Sequence, residues 1–465
     1  MSTVVGRASS PGFRKAALSR GAALARLRSS LRLCAQRQAW IISSQFPYRF
    51  KRAIDLALST ICLALVSPLL VPVLFVLYAS GGRVLRTTKL GLYRRPFAMY
   101  RLPTDGRCGA FIRLTRLDHL PVLFNVLKGD LSFVGPRALT PEEAELKGNS
   151  AVRRHSDRPG LICLWWIRRR ANIDFGGELD SDAEYVESFS LKSDIGILLR
   201  AIPALVYGDE QASTEHRVRI LGIPIDNVDM DGGLDWIDDQ IRATDSAKQV
   251  CFVNADCANV AAGDAAYREV LQNADAVFAD GIGMKMAGRW LRTGIRQNVN
   301  GTDLFPRLCA RMAESGQRLY LLGAKPGVTE RVAEWVGEHH PDVNLCGHQH
   351  GYFSSDEEQR VLADIRDARP DVLLVAFGAP RQDLWIRENL RNTGSRVAIG
   401  VGGLFDFFSG NVARAPQWMR EIGMEWFYRF MQEPGRMWKR YFLGNGVFLL
   451  RVLRERVVRS GHRSR

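Results

Sequence analysis

No Asp or Glu precedes Asp55, whereas eleven Lys and Arg residues lie between Arg7 and Arg52. The formal net charge of +15 over 465 residues is therefore concentrated in a basic N-terminal arm, residues 1–48, with a short basic tail at 446–465. An arm of this kind binds nucleic acid or anionic lipid head groups. The aromatic and basic interleaving used by single-strand binders is missing, which favours lipid. No apolar core follows the early cations within the first thirty residues, which excludes a secretory signal. The richness in Arg and Ser and the lack of acids are also features of organellar transit peptides. The eight cysteines form no CxxC and no paired metal spacing, and Cys251 and Cys257 are the closest pair. They read as reduced, buried thiols of a cytosolic compartment.

Charge is also absent from Leu56 to Tyr78, 23 residues long and enough to span a hydrocarbon core. One reading is an ordinary transmembrane helix. Against it stand Ser67-Pro68 in the middle and Pro72 after it, which remove backbone donors and predict a bend. Lys51 and Arg52 precede the segment, and Arg83, Arg86 and Lys89 follow it. The positive-inside tendency assigns both flanks to the cytoplasm, which a kinked helix entering and leaving by one face satisfies.

A chain of this length exceeds one ordinary core and predicts two domains. From about Asp209 the composition turns polar, "DEQASTEHRV", and a new pattern begins. Short apolar runs such as "VCFVNAD", "AVFADGIG", "RLYLLGAKPG", "DVLLVAFGAP" and "RVAIGVGG" alternate with helix-length amphipathic stretches. Buried strands alternating with helices predict an α/β fold, a doubly wound parallel sheet of Rossmann-like type. Ligands of such sheets sit at the carboxyl ends of the strands, where Gly, Asn and Asp gather here. Gly323 of "GAKPGVTERV" marks a strand-to-helix turn whose N–H groups suit a diphosphate.

The first half, "KRAIDLALSTICLALVSPLL", "KLGLYRRPFAMYRL", "LDHLPVLFNVLKGDLSFVGPR", "RPGLICLWW" and "YVESFSLKSDIGILLRAIPALVYG", resembles the bacterial sugar transferases, polyprenol-phosphate phosphoglycosyl transferases. The resemblance implies a mostly helical, membrane-associated domain over 49–210 with a re-entrant helix bent at Ser67-Pro68. It implies transfer of a sugar phosphate from a nucleotide sugar to undecaprenyl phosphate. Asp118 occupies the position of the nucleophilic Asp, which attacks the diphosphate to give a phosphosugar-enzyme intermediate. Mg²⁺ held at Asp118 would screen the phosphates, and Arg113, Arg116 and Arg137 would clamp them. Where the family has Glu after this Asp, the chain has His119, and the loop "LPTDGRCGAFI" is short. Both an active transferase with a variant dyad and a membrane anchor without chemistry remain open.

The second half carries "NAD", "ADGIG", "NGTDLFPRL", "YLLGAKPGV", "HGYF", "RPDVLLVAFGAPRQDLWI", "GVGGLFDFFSG", "RAPQWM" and "EWFYRFMQEPGRMWKRY". It resembles the WecG/TagA/CpsF glycosyltransferases, with the domain expected over 216–445. The resemblance implies transfer of a hexosyl or N-acetylhexosaminyl group from a UDP-sugar to a polyprenyl-diphosphate-linked sugar, with inversion and without a metal cofactor. It makes Asp280 the base and Gln382 a substrate contact, with Asn254, Asn300 and Asp303 lining the pocket. Arg429 and Arg436 would hold the UDP diphosphate. A third family Arg falls on Lys439, with Arg440 next, and a frequent family Thr falls on Phe252. An Asp before Gly also serves simply to form a turn. The C-terminal mix of Arg and aromatic residues suits a helix at the lipid interface.

Together the halves predict an enzyme of lipid-linked surface-polysaccharide assembly on the cytoplasmic face of a bacterial inner membrane. Self-association is expected and nucleic acid is not. A bifunctional enzyme, a single glycosyltransferase with an anchor, and a non-catalytic scaffold are the alternatives; the intact second motif set disfavours the scaffold.

Overall fold

The computed structural model describes residues 47–79, 83–104, 112, 117–147, 153–171, 177–207, 213–243 and 246–463. The chain divides into two compact units, Met1–Leu164 with Glu178–Ile197, and Trp165–Gly177 with Leu198–Arg465. Arg113 and Arg116 lie outside the described residues.

The apolar segment of the first unit forms the helix Pro47–Ala79, long and apolar enough to cross a membrane by length and composition. Leu65, Val71, Phe75 and Tyr78 are exposed, whereas Leu70 and Leu77 pack with Leu102 and Ile112. Pro68 has no N–H for the carbonyl of Ala64, one turn before it. The Ser67 hydroxyl donates to that carbonyl at 2.8 Å, so the Ser-Pro pair satisfies an acceptor that would be costly in an apolar environment. At the other end, Lys51 is paired with Asp194. The Arg52 guanidinium donates to the carbonyls of Val126 and Leu127 at 2.5 and 2.7 Å. Those carbonyls end the helix Val122–Lys128, which stops at Gly129 in the left-handed region (φ 92°). A cation there satisfies orphan acceptors and complements the helix dipole.

Two small sheets complete this unit. Strands β1 (Leu85–Leu90) and β2 (Pro96–Arg101) pair antiparallel. Asn125 locks the Val122–Lys128 helix to β2: its amide donates to Ala98 O at 2.7 Å, and its oxygen accepts from Tyr100 N at 3.2 Å. Strands β3 (Ser132–Val134) and β4 (Gly160–Ile162) pair parallel. Their backbones touch where "VGPR" meets "RPG". A Cβ on Gly160 would stand 2.1 Å from Gly135 N, and one on Gly135 would stand 2.3 Å from Arg158 O. Both glycines are thus demanded by close approach.

The second unit starts with an antiparallel hairpin, β5 (Arg217–Ile220) and β6 (Ile223–Asp226). Its main sheet has six parallel strands: β7 (Lys248–Val253), β8 (Ala276–Ala279), β9 (Arg318–Gly323), β10 (Asn344–Gln349), β11 (Val372–Ala376) and β12 (Val397–Gly400). The order across it is β10-β9-β11-β12-β7-β8. Side chains alternate between two apolar clusters: Val250 and Phe252 pack on one face, Cys251 and Val253 on the other. Such continuous apolar strands are what a sheet covered on both sides requires. Among the covering helices, Asn445–Arg463 buries Phe448 and Val452 against Cys257 and Ala258.

Replacing Gly160 by Ala is expected to lower stability by about 1–3 kcal/mol, the usual range for overpacking a rigid contact. Urea unfolding of the detergent-solubilised protein, followed by a probe in the first unit, measures it.

Candidate functional site

All six main strands run the same way, so their carboxyl ends lie along one edge. Val253 is in register with Ala279, which makes the next residues, Asn254 and Asp280, neighbours. Asn254 caps the helix Ala255–Gly263, its oxygen accepting from the N–H groups of Asp256 and Cys257. The same side chain turns its amide to Asp280 Oδ2 at 3.5 Å. The turn after Asp280 is built by other groups. Gly281 takes φ 84°, and its N–H donates to Asn298 Oδ1 at 2.6 Å. The carboxyl of Asp280 is thereby left facing Asn254 instead of closing the turn.

Burial pushes the pKa of Asp280 above the usual carboxylate range, and the nearby Asp303 adds to the rise. The Asn254 hydrogen bond and the Arg440 guanidinium oppose it. Cation and carboxyl are brought together by the C-terminal region: Arg440 sits 3.1 Å from Asp256, two residues beyond Asn254. Tyr441 senses Arg440, Arg429, Asp280 and Glu425, and burial raises its pKa.

Asn300 and Asp303 form a second helix start. Asn300 accepts from Asp303 N and donates to Asp303 Oδ2, both at 2.8 Å. The other oxygen of Asp303 is held by Arg414. Arg414 in turn lies 3.6 Å from Glu425, which opens the helix Glu425–Gln432. Asp303 is 6% exposed, and through Arg414 it joins the Gly301–Ser315 helix to the helix Glu425–Gln432.

Gln382 is buried and ties two strand-end loops together. Its oxygen accepts from Gly378 N at 3.1 Å, after β11, and from Gly402 N at 2.8 Å, after β12. Beside it Asp383 is fully buried, and burial lifts its carboxyl to about 7. The Tyr267 hydroxyl, the Cys251 thiol and the Gln382 amide face that carboxyl and oppose the rise. A Cβ on Gly400 would stand 2.4 Å from Asp383 Oδ1 and 2.8 Å from Gln382 Nε2. The glycine of "GVGG" makes room for this pair.

Arg429 lies over the Phe407 ring at 4.8 Å and within 3.9 Å of Asp406 and of Glu433. Arg436 lies in the helix Pro434–Trp438, and its side chain is outside the described residues. Lys439 sits over Trp438, while Arg440 supplies the charge felt by Asp280. Gly323 takes φ 130°, and a Cβ there would stand 2.7 Å from the backbone of Ala376. A contact between strands accounts for this glycine.

Two Asp-x-Asp triplets occur in the chain, and both have structural roles. Asp229 caps the helix Met230–Arg242, and Asp182 pairs with Arg154. No group of three or more His, Cys, Asp or Glu suited to a metal occurs among the described residues.

In the first unit, Asp118 and His119 share the turn Leu117–His119. His119 Nε2 lies 3.2 Å from Asp118 Oδ2, with the imidazole about half exposed. Arg137 donates to Glu178 at 2.9 Å and to Glu143 at 2.8 Å. Its partners hold Glu143 at about 2 despite burial, with the Thr140 backbone, Arg137 and Lys89 as causes. Sequence motifs assign no role to Glu143, Glu178, Arg414, Glu425 or Asp383; the partners of Glu178 and the Asp303 partner of Arg414 are far along the chain.

A strand-end carboxyl whose pKa is raised by burial thus lies beside cationic side chains from a C-terminal region, at the strand ends where α/β sheets bind ligands. The chain belongs to the glycosyl transferase WecG/TagA/CpsF family, whose model matches residues 218–462. The bacterial sugar transferase model matches residues 46–208. One relative, the N-acetylglucosaminyldiphosphoundecaprenol N-acetyl-beta-D-mannosaminyltransferase of Bacillus subtilis (strain 168), is 33% identical over 236 residues, 51% of this chain and 91% of that protein. The protein of the same name from Bacillus spizizenii is 35% identical over 175 residues, 37% of this chain and 66% of the relative. The chain is thus a glycosyltransferase with a sugar-transferase half ahead of it.

If Asp280 works as a base it must be ionised, and its raised pKa places the acid limb of kcat/KM above the usual carboxylate range. Asn254→Ala removes a hydrogen bond that favours the charged form, so the limb is expected to move to higher pH. The pH profile of UDP release for the two proteins tests the sign of the shift.

Proposed function

We propose that the second unit transfers an N-acetylhexosaminyl or hexosyl group from a UDP-sugar to a polyprenyl-diphosphate-linked sugar, with inversion. Asp280 takes the proton from the acceptor hydroxyl. The acceptor oxygen forms its bond to the anomeric carbon as the bond to the diphosphate breaks, and UDP leaves with the electron pair. Arg429, Arg436 and Arg440 supply cationic charge for the departing diphosphate. Gln382 sits at the loops after β11 and β12, where the substrate is expected. The observation that carries this reading is the raised carboxyl of Asp280 between Asn254 and Arg440. The activity for which the two Bacillus relatives are named supports the lipid-linked acceptor.

The first unit is proposed to hold the enzyme at the cytoplasmic face of a bacterial inner membrane. Both ends of the helix Pro47–Ala79 are engaged by that unit, Lys51 and Arg52 near the start and Leu70 and Leu77 towards the end. A helix so held enters and leaves a bilayer by one face more readily than it crosses. For chemistry there, Asp118 is the nucleophile and His119 its neighbour. A single carboxylate is a fitting protein share for Mg²⁺, which keeps waters and borrows phosphate oxygens; the ion would screen the diphosphate. The anchor-only alternative is favoured by one observation, that Glu143 and Glu178 hold the Arg137 expected to clamp phosphate.

Membranes containing the protein, given radiolabelled UDP-sugars and undecaprenyl phosphate, separate these cases. UMP release abolished by Asp118→Ala makes the chain bifunctional. UDP release only on addition of a preformed lipid-diphosphate sugar makes the first unit an anchor. Asp280→Ala is expected to lower UDP release by about 10²-fold or more, and unchanged release removes Asp280 from the mechanism.

A further inference from the structure

Residues 165–171 and 198–207 fall inside the sugar-transferase match, yet they pack as part of the second unit. Their contacts there are charged and buried. Glu421, 0% exposed, is the last residue of the helix Gln417–Glu421. One of its oxygens accepts from Arg168 Nε at 2.8 Å, and the other from Arg200. Arg168 is itself 4% exposed. With its amide reversed, Gln417 also presents its oxygen to the same guanidinium, at 2.9 Å. A third contact lies on another element: Lys285, 6% exposed, donates to the carbonyl of Arg170 at 3.1 Å.

The two targets are informative. Lys285 belongs to the helix Ile282–Trp290, which starts directly after Asp280-Gly281. Glu421 is joined to the Arg429 helix by a tight turn, in which Met424 N donates to Met419 O at 2.9 Å and Gly423 N donates to Arg420 O at 3.0 Å. One segment therefore grips both the base side and the nucleotide side of the glycosyltransferase site. A carboxylate held at both oxygens by separate guanidinium groups in a dry setting fixes direction as well as distance.

We propose that Arg168, Arg200 and Lys285 are positioning residues for glycosyl transfer: Arg168, Arg200 and the Arg170 carbonyl, from chain that precedes the glycosyltransferase match, brace Glu421 and Lys285 across the second active site. The proposal rests on the reading of Asp280 and Arg429 given above. Arg168 and Arg200 fix the seat of the helix carrying Arg429, and Lys285 fixes the helix that follows Asp280.

The test uses the full chain in detergent, with UDP-sugar and a synthetic polyprenyl-diphosphate-sugar acceptor. Three variants are compared with the parent: Arg200→Gln, Lys285→Met, and the triple change Arg168→Met, Arg200→Met, Glu421→Met. The triple variant removes all three charges together, so no lone ion is left buried and folding is retained. UDP binding by calorimetry and thermal unfolding are measured on each. The expected result is an unchanged Tm for the triple variant, with UDP affinity lowered and the KM for UDP-sugar raised about tenfold or more. Arg200→Gln is expected to do the same to a smaller degree. Lys285→Met is expected to lower kcat with little change in UDP affinity. Parent-like UDP affinity, KM and kcat in folded variants would overturn the brace while leaving the function reading intact. A parent protein that neither binds UDP nor releases it removes the function reading, and the brace falls with it.

Discussion

The parallel run of six strands is the constraint on which the rest depends. Because every strand points the same way, each loop after a strand emerges on one edge, and the ladder register decides which loops are neighbours. Val253 beside Ala279 and Val375 beside Gly400 bring four separate stretches of sequence to one rim. The loops are then fastened to each other by side chains: Asn254 to Asp280, Asn298 to Gly281, and Gln382 to both Gly378 and Gly402. Main-chain register thus sets which loops meet, and these side chains hold them together.

Charge completes it. Asp303, Arg414 and Glu425 form a chain of ions that binds a helix start on the rim to the tail. Arg440 joins the tail to Asp256 and lies close enough to affect Asp280. Burial raises the carboxyls of Asp280 and Glu425, whereas their arginine neighbours lower them. The first unit uses charge differently. Arg137, Arg154 and Lys147 converge on Glu178, and this mutual neutralisation lowers the pKa of Glu178 despite burial. A cluster of that kind fixes packing.

Much of this was legible in the sequence, for reasons that differ by residue. The apolar runs ending in Gly, Asn or Asp predict five of the six strands, because a strand covered on both faces must be apolar throughout; β10, "NLCGHQ", is an edge strand, only partly buried, and lacks that pattern. Asn254 and Asp280 directly follow strands because their motifs end strands, whereas Gln382 lies in the first turn of the helix Arg381–Thr393. Gly323 shows the opposite case: its motif suggested a phosphate turn, while the structure supplies a steric cause, the backbone of Ala376. Asp383 stayed hidden because an acid beside a helix start looks solvent-facing until Gly400, far along the chain, turns out to leave space for it. Arg414 and Glu421 were equally hidden. Their partners Asp303 and Arg168 are set by folding, and no spacing in the sequence announces them.

The division of the chain has an evolutionary consequence. Two helices, Leu164–Ala171 and Leu191–Tyr207, each straddle a boundary between the compact units. A gene split in the polar stretch near residue 210 would look clean by domain family, yet it would leave part of one folded unit on the wrong fragment. Such a split severs no helix, but it parts Arg168 and Arg200 from Glu421, a loss that the family boundary does not reveal.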